Sequence, residues 1–257
     1  MCLLLFAVEA HPRYRLIIAA NRDEFYARPT EQAHLWDDRS GTLAGVDRLA
    51  GGTWLGITKS GRFAALTNYR DPRDMRPPSP DEPSRGALVA RFLAGTDEPE
   101  AHLASVSANG PRYRGFNLIA GDSSSLVYIS NRGGRTIRIP TGVHGLSNHL
   151  LDTPWPKVER GKAGLLSLIQ GGGELLAEAL LALMADETAP ADNDLPDTGV
   201  GLVAERMLSP MFIRASGYGT RSTTVLLVER SGDVTFVERT HAPLPLPDVV
   251  CPFRIQA

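Results

Sequence analysis

The sequence predicts an α+β layered fold, and three observations lead to this class. A strand hairpin is expected at the start of the chain, a second hairpin is expected near its end, and helical patterns lie between them. Strands from the two ends of such a chain can share one sheet. We expect residues 1–257 to form a single domain, since no internal repeat or linker divides them.

The first hairpin begins with an apolar run from Met1 to Val8, which is closed by a turn at His11–Pro12–Arg13. The run lacks a basic start and a small-residue cleavage site, so we interpret it as a strand buried on both faces rather than a secretory signal. A second strand over Tyr14–Ala20 is expected to pair with it antiparallel. Cys2 is thereby predicted at the start of a central strand.

Turn chemistry and helix periodicity predict the remaining elements. Lys59–Ser60–Gly61 is a hairpin turn between two apolar runs, and Ser84 and Thr96 are placed to begin two helices. The prolines and charges of Asp71–Pro83 indicate an exposed loop. Further strands are expected over 116–120, 126–130, 136–139, 223–229 and 234–238, and further helices over 155–170 and 174–184.

The composition excludes several classes of protein. Hydrophobic residues make up 42% of the chain, which is typical of a packed globular protein. Lys and Arg total 27 against 29 Asp and Glu, and no basic block provides the positive patch of a nucleic-acid-binding protein. No apolar run approaches the ~20 residues that span a bilayer, so we expect no integral membrane segment. Two cysteines are too few for a disulfide framework and favour a cytoplasmic location.

Cys2 is the first candidate for chemistry. Removal of Met1 would leave a thiol and a free α-amine on one residue, and such an amine has an ordinary pKa of about 7.7–8.0. An amine beside a thiol is a known way to activate a nucleophile. The alternative is that Cys2 is a small buried core residue, which is common for a free cysteine.

Asn21, Arg22 and Asp23 follow the second predicted strand, and the hairpin would return them towards Cys2. A carboxylate at this place can orient an amine, and a guanidinium favours a thiolate over a thiol. The alternative is a polar surface turn in which Arg22 pairs with Asp23 or Glu24.

Three more polar residues are candidates because they lie at strand ends. Asn68 and Asn148 carry amides that can donate to a developing oxyanion, although asparagine is also a common turn former. Arg221 begins a late strand and can hold a substrate or act as a second cation, or it can be a solvated charge.

The histidines give no metal-ligand pattern, since Glu-x-x-His and His-Glu-x-x-His are absent from the sequence. His144 and His149 flank Asn148, and either can ligate haem iron or act in a pocket. Surface loop positions are the alternative for both. We expect no metal site.

Taken together, the sequence resembles the NRDE family, the transport and Golgi organisation protein 2 group, over nearly its whole length. The fourteen residues from Gly145 to Val158 are the most specific part of the resemblance. The other matching segments are Met1-Cys2, Ala20-Asn21-Arg22-Asp23-Glu24, Gly52-Thr53-Trp54-Leu55-Gly56, Leu66-Thr67-Asn68-Tyr69-Arg70, Gly115-Phe116-Asn117-Leu118 and Gly219-Thr220-Arg221-Ser222-Thr223-Thr224.

The resemblance implies a four-layer αββα sandwich of the N-terminal-nucleophile hydrolase type. In its cysteine branch, which includes bile-salt hydrolases and penicillin V acylases, the nucleophile is a processed terminal cysteine. The positions that match the wider pattern in chain order are Cys2, Arg22 with Asp23, Asn68, Asn148 and Arg221. Arg and Asp are adjacent in this chain but separated in the hydrolases, so the roles within Asn21-Arg22-Asp23 stay open.

Two functions follow as hypotheses. The first is an amidohydrolase that cleaves a non-peptide C–N bond with Cys2 as nucleophile and requires no cofactor. The second, implied by what is known of the family in haem trafficking and lipid homeostasis, is a binding protein that uses the same pocket for haem. Either function predicts a small hydrophobic or anionic ligand, and the sequence does not predict an oligomeric state.

Overall fold

The structure is a computed structural model that describes residues 3–37, 40–74, 76, 79, 81–122, 125–133, 135–171 and 176–256. The chain divides into two compact units. Unit 1 comprises Met1–Ala27, Thr141–Ser147 and Leu151–Phe253, and unit 2 comprises Arg28–Pro140, Asn148–Leu150 and Arg254–Ala257. That the chain forms a single domain stays a prediction. None of the described helices is both long and apolar enough to cross a membrane.

The described residues contain strands and helices in a mixed order, which confirms the predicted α+β class. The strands are β1 (Leu3–Val8), β2 (Tyr14–Phe25), β3 (Thr30–Leu35), β4 (Thr42–Asp47), β5 (Leu55–Thr58), β6 (Phe63–Asn68), β7 (Phe116–Gly121), β8 (Leu126–Ser130), β9 (Ile137–Arg138), β10 (Gly142–Leu146), β11 (Tyr218–Glu229), β12 (Asp233–Thr240) and β13 (Val249–Arg254). The helices are α1 (Gly86–Ala94), α2 (Pro99–Asn109), α3 (Pro156–Gln170), α4 (Ala177–Met184) and α5 (Leu202–Leu208).

Unit 1 is built on an antiparallel sheet with the strand order β10-β1-β2-β11-β12-β13. The predicted pairing of the first two strands is confirmed, and β2 also pairs with β11, so strands from the two ends of the chain share a sheet. Helices α3 and α4 pack on one face, where Val158, Leu165 and Met184 meet Leu5 and Ile17 in a buried apolar cluster. Burial of such side chains is worth about 1.5–3 kcal/mol each and fixes the register of the central strands.

Unit 2 is built on a second antiparallel sheet with the order β3-β4-β5-β6-β7-β8-β9. Helices α1 and α2 cover one face of it, where Phe92 and Leu103 pack against Phe116 and Leu118 of β7. The turn predicted at Lys59–Ser60–Gly61 joins β5 to β6.

Several predicted boundaries are wrong. Strand β2 does not end at Ala20 but continues to Phe25, because its polar residues pair with β11. The first predicted helix begins at Gly86, and the Ser84 hydroxyl bonds the Gly51 carbonyl instead of capping it. The helix predicted from Thr96 begins at Pro99, whose fixed φ suits a first helical position. Strands β3, β4, β10 and β13 and helix α5 were not predicted.

The segment Asp71–Pro83 is not wholly an exposed loop, because Asp71 is 8% exposed. Its carboxylate accepts hydrogen bonds from the side chains of Arg73 and Arg132. The hydrogen bond from Arg73 is the main reason why the pKa of Asp71 lies well below its ordinary value. The ion pairs tie the start of this segment to the chain that follows β8.

Candidate functional site

The predicted N-terminal cluster lies where the first two strands of unit 1 pair. Leu3, the first described residue, pairs with Asn21 across the β1–β2 hairpin. Asn21, Arg22 and Asp23 are 0%, 4% and 2% exposed, so the alternative of a solvated surface turn is wrong. Cys2 lies outside the described residues, and the closeness of its thiol to this cluster stays a prediction.

Asn21 clamps three parts of unit 1 together. Its side-chain nitrogen donates to the backbone carbonyls of Met184 at 2.9 Å and Met211 at 2.8 Å. Its Oδ1 accepts a hydrogen bond from the Thr223 hydroxyl at 2.7 Å. Both amide hydrogens are therefore used within the protein, which fits a positioning role better than a direct contact with substrate.

The same clamp fixes a proton on His241. The Thr223 hydroxyl has one hydrogen, which it donates to Oδ1 of Asn21. The hydroxyl oxygen must therefore accept a hydrogen bond from Nε2 of His241, which lies 2.9 Å away. Burial, followed by the charge of Arg239, lowers the pKa of His241. The neutral imidazole with its hydrogen on Nε2 is consequently the main form at neutral pH.

Asp23 is held by a hydroxyl from β11. The Thr220 hydroxyl donates to Oδ1 of Asp23 at 2.6 Å and accepts from the Ile213 backbone N–H at 2.9 Å. A buried carboxylate needs such bonds because an unpartnered charge is strongly destabilising. Sequence reasoning did not select Thr220 individually, since its partner is 197 positions away.

Arg22 belongs to the other face of the same sheet, because side chains alternate along a strand. It pairs with Ser222 of β11, and Glu238 of β12 lies on the same face, opposite Thr224. Glu238 is 2% exposed. A buried cation and a buried carboxylate thus share this face, and sequence reasoning missed Glu238 because no local pattern marks a single acidic residue in a strand.

Arg221 lies within β11 rather than at its start. The register against β2 shifts between Thr220 and Ser222, so Arg221 occupies a bulge. It is 8% exposed, and its guanidinium donates to the carbonyls of Phe25 and Ala242 at 3.3 and 3.4 Å. The alternative of a solvated charge is therefore wrong.

Asn68 and Asn148 lie together in unit 2. The side-chain nitrogen of Asn148 donates to the Asn68 carbonyl at 2.9 Å, and the Asn148 carbonyl accepts from the Arg70 N–H at 2.7 Å. Asn148 is 6% exposed. Within the described ranges, the side-chain amide of Asn68 makes no hydrogen bond, so the two asparagines differ in what they can offer a ligand.

A third asparagine supports this pair. Asn117 donates to the Thr67 hydroxyl at 3.0 Å and to the His149 carbonyl at 2.9 Å, and it accepts from the Tyr128 hydroxyl at 2.9 Å. These bonds join β6, β7 and β8 to the segment that carries Asn148. Asn117 lies in one of the segments that match the family, but no local sequence pattern indicates its role.

His144 is a buried strand residue, not the surface loop residue given as the alternative. It lies on β10 and is 7% exposed, and its Nδ1 is 2.7 Å from Oδ2 of Asp152. Burial by itself would raise the pKa of Asp152, but hydrogen bonds from His144 and the Gly145 N–H, with the charge of Lys162, outweigh it and hold the pKa below its ordinary value.

His149 is half-buried in unit 2, and its ring centroid is 5.0 Å from that of Tyr69. Burial lowers the pKa of His149, and burial followed by the charge of Asp71 raises that of Tyr69. Both side chains are therefore neutral at physiological pH.

The candidates fall into two groups, one in each unit. Unit 1 holds the cluster on β2 and β11 together with His144, and unit 2 holds Asn68, Asn148 and His149. Across the described residues, no group of three or more His, Cys, Asp or Glu side chains is arranged to hold a metal ion.

The fold is shared with a solved hydrolase. The structure of the Caenorhabditis elegans N-acylethanolamine-hydrolyzing acid amidase (NAAA) ortholog matches with a TM-score of 0.51 at 11% identity, covering 88% of this chain and 92% of that chain. That protein has the N-terminal-nucleophile hydrolase fold, so the expected fold class is confirmed. At this identity the likeness establishes the fold and no activity.

Relatives that match this chain over most of their length identify its family. The chain is 40% identical over 260 residues to the Bos taurus Transport and Golgi organization protein 2 homolog, with 93% of each chain covered. It is 39% identical over 261 residues to the Homo sapiens homolog, with the same coverage of each chain. The sequence profile of Transport and Golgi organisation 2 matches residues 1–243. The chain belongs to the Transport and Golgi organisation 2 family.

Proposed function

We propose that this chain is an N-terminal-nucleophile amidohydrolase that cleaves a non-peptide C–N bond with Cys2. The observation that carries the proposal is the buried cluster of Asn21, Arg22 and Asp23, which begins at the residue paired with Leu3. Cys2 directly precedes Leu3 in the sequence. Burying a guanidinium and a carboxylate costs free energy and does not stabilise an apolar core. At a reactive amino terminus, the same charged groups can orient the amine and activate the thiol.

The reaction begins once Met1 has been removed. The α-amine of Cys2 takes the thiol proton, and the sulfur attacks the amide carbonyl to give a tetrahedral oxyanion. The C–N bond breaks as the ammonium returns its proton to the leaving amine, which leaves a thioester. Water then attacks the thioester while the amine takes its proton, the C–S bond breaks, and the released thiolate regains that proton as the acid departs.

The surrounding residues have distinct roles in this proposal. Asp23, fixed by Thr220, orients the α-amine, and Arg22 favours the thiolate. Asn21 holds this part of β2 in place through its three hydrogen bonds.

Asn68 and Asn148 are proposed as donors to the oxyanion. The amide of Asn148 is oriented by its bond to the Asn68 carbonyl, and no described residue bonds the amide of Asn68. Loss of one such donor lowers turnover by about 10²–10³ in known hydrolases. Arg221, a buried cation on β11, is proposed to hold an anionic group of the substrate.

The test is covalent trapping with an activated acyl ester, read by peptide mass spectrometry. The chain has two cysteines, so Cys251→Ala is a matched control for Cys2→Ala. We expect an acyl group on Cys2 in the wild type and in Cys251→Ala, and none in Cys2→Ala. An adduct that persists in Cys2→Ala, or no adduct in any of the three, would contradict the proposal.

Haem binding is a second candidate, favoured by the neutral form of His149 and by the orientation of the His144 ring. Burial keeps His149 neutral, the form that ligates iron, and His144 is oriented by Asp152 in the way that carboxylates orient metal-binding histidines. His144 or His149 would then supply an axial ligand, and bound haem would serve as cargo. A haem titration should give a saturable Soret shift that is lost in His144→Ala or His149→Ala, and the absence of any saturable shift would exclude this candidate.

The ligand class and location are also proposals. A small hydrophobic or anionic molecule suits both candidate functions, because Arg22 and Arg221 are buried cations on the strands of unit 1. The low cysteine count favours a cytoplasmic location.

A further inference from the structure

Helix α5 presents its apolar side chains to solvent and its one acidic side chain, Glu205, to the interior. Leu202, Val203 and Met207 are 49%, 81% and 41% exposed, whereas Glu205 is 3% exposed. Leu202, Val203, Arg206 and Met207 lie within one arc of about 140° around the helix axis. The pattern is the reverse of an ordinary surface helix, and an apolar surface that a fold keeps exposed can mark an interaction site.

Polar anchors hold the helix in this orientation. The Glu205 carboxylate accepts from the backbone N–H of Thr198 at 2.9 Å and from its hydroxyl at 2.6 Å. The Lys157 ammonium, which is 3% exposed, donates to the Leu208 carbonyl at the end of the helix at 2.8 Å. A rotation that buried the apolar residues would break these bonds and leave a buried charge unpaired. The bonds of Glu205 and Lys157 therefore keep the apolar side chains of α5 exposed.

An acidic segment runs beside this helix. Residues 186–197 contain five acidic side chains and no basic one, and two of the five, Asp186 and Glu187, pair with Arg160 and Arg214. Asp192 pairs with Arg206 of α5, and the Thr198 that follows the segment bonds Glu205. Asp194 and Asp197 are exposed, and neither has a cationic partner among the residues that the structure describes. Two of the five carboxylates beside the helix therefore lack a cationic partner within the described ranges.

We infer that the exposed arc of α5 and the acidic segment form a docking surface for a basic amphipathic helix of another protein. The three apolar side chains would cover the apolar stripe of that helix, and Asp194 and Asp197 would meet its Lys or Arg residues. The charge of the segment disfavours an anionic lipid surface or a second copy of the same acidic face. This inference does not depend on the proposed hydrolase.

The test uses two synthetic amphipathic peptides of equal length, one of Leu and Lys and one of Leu and Glu. Isothermal titration calorimetry at two salt concentrations should show saturable binding of the Lys peptide only, and binding should weaken as salt increases. The double variant V203S/M207S should lower the affinity about tenfold, equivalent to about 1.4 kcal/mol. The variant D194N/D197N should lower it less and reduce the salt dependence.

Leu49→Ser is the matched control, because Leu49 is 65% exposed but lies in unit 2. It should leave the affinity unchanged, and thermal melts should show that the unit 1 variants stay folded. The inference is overturned if neither peptide binds, if the Glu peptide binds as tightly, or if V203S/M207S and D194N/D197N both keep wild-type affinity. It is also overturned if V203S/M207S abolishes self-association or binding to phosphatidylglycerol vesicles, since the occupant would then be a second copy or a membrane.

Discussion

Asn21 and Asn68 are the same amino acid on central strands of the two units, yet their side chains are used differently. The amide of Asn21 bonds two backbone carbonyls and a hydroxyl, and it is 0% exposed. The amide of Asn68 has no hydrogen-bond partner in the described part of the chain, and only its backbone carbonyl accepts a bond, from Asn148. A saturated amide stabilises the fold, whereas an available amide can serve a ligand. The comparison separates positioning residues from candidate catalytic residues.

The largest expected effect is on the stability of Asn21→Leu. The change leaves the carbonyls of Met184 and Met211 and the Thr223 hydroxyl without their buried partner, at about 1–3 kcal/mol for each unsatisfied group. We expect the free energy of unfolding to fall by about 4 kcal/mol in urea titrations. A loss below about 1 kcal/mol would show that Asn21 is not the clamp that its geometry indicates.

Asn68→Ala should show the opposite profile. Because no described group bonds its amide, the free energy of unfolding should change by less than about 1 kcal/mol. Under the proposed hydrolase, the rate of acylation of Cys2 by an activated ester should fall by about 10²–10³. An unstable Asn68→Ala with an unchanged rate of acylation would reverse the comparison.

Thr223→Val tests whether the clamp extends to His241. Valine keeps the shape but removes the donor to Asn21 and the acceptor for His241, so we expect a loss of about 1–2 kcal/mol in the free energy of unfolding. The NMR signals of the His241 ring nitrogens should show that the preference for a hydrogen on Nε2 is reduced. Thr235→Val, a change at a partly buried position of β12, is a control that should leave both measurements unchanged.

The smallest expected effect concerns Asp152 and pH. Its folded-state pKa lies below the ordinary value of about 4, so the unfolded chain takes up this proton first as the pH falls. Its contribution to stability is therefore full above about pH 4 and is lost as the pH falls through the folded-state pKa. Asp152→Asn should remove this part of the acid dependence in pH-dependent melts, and an unchanged dependence would contradict the assignment.

Much of the fold could be predicted because its signals are local. The turn at His11–Pro12–Arg13 and the apolar runs around it determine the β1–β2 pairing, and this pairing places Asn21 opposite Leu3. The continuation of β2 through Asn21–Glu24 could not be predicted, since polar residues of this kind favour turns and become strand residues only through β11, about 200 positions later.

The site was predicted less completely than the fold for the same reason. Thr223, His241 and Glu238 carry no local pattern and take their roles from partners distant in sequence. Strand β10 was missed because Gly142 and Gly145 weaken its strand propensity, and with it the buried position of His144 was missed. Helix α5 was missed because it has only seven residues and begins after Gly201, which provides no capping side chain.

The most direct measurement is the intact mass of the protein purified after expression from its own Met1. The proposed chemistry needs a free amine and a thiol on the same residue, so the mass should correspond to a chain that begins at Cys2. A mass that retains Met1 would place an amide where the base is required and would contradict the mechanism.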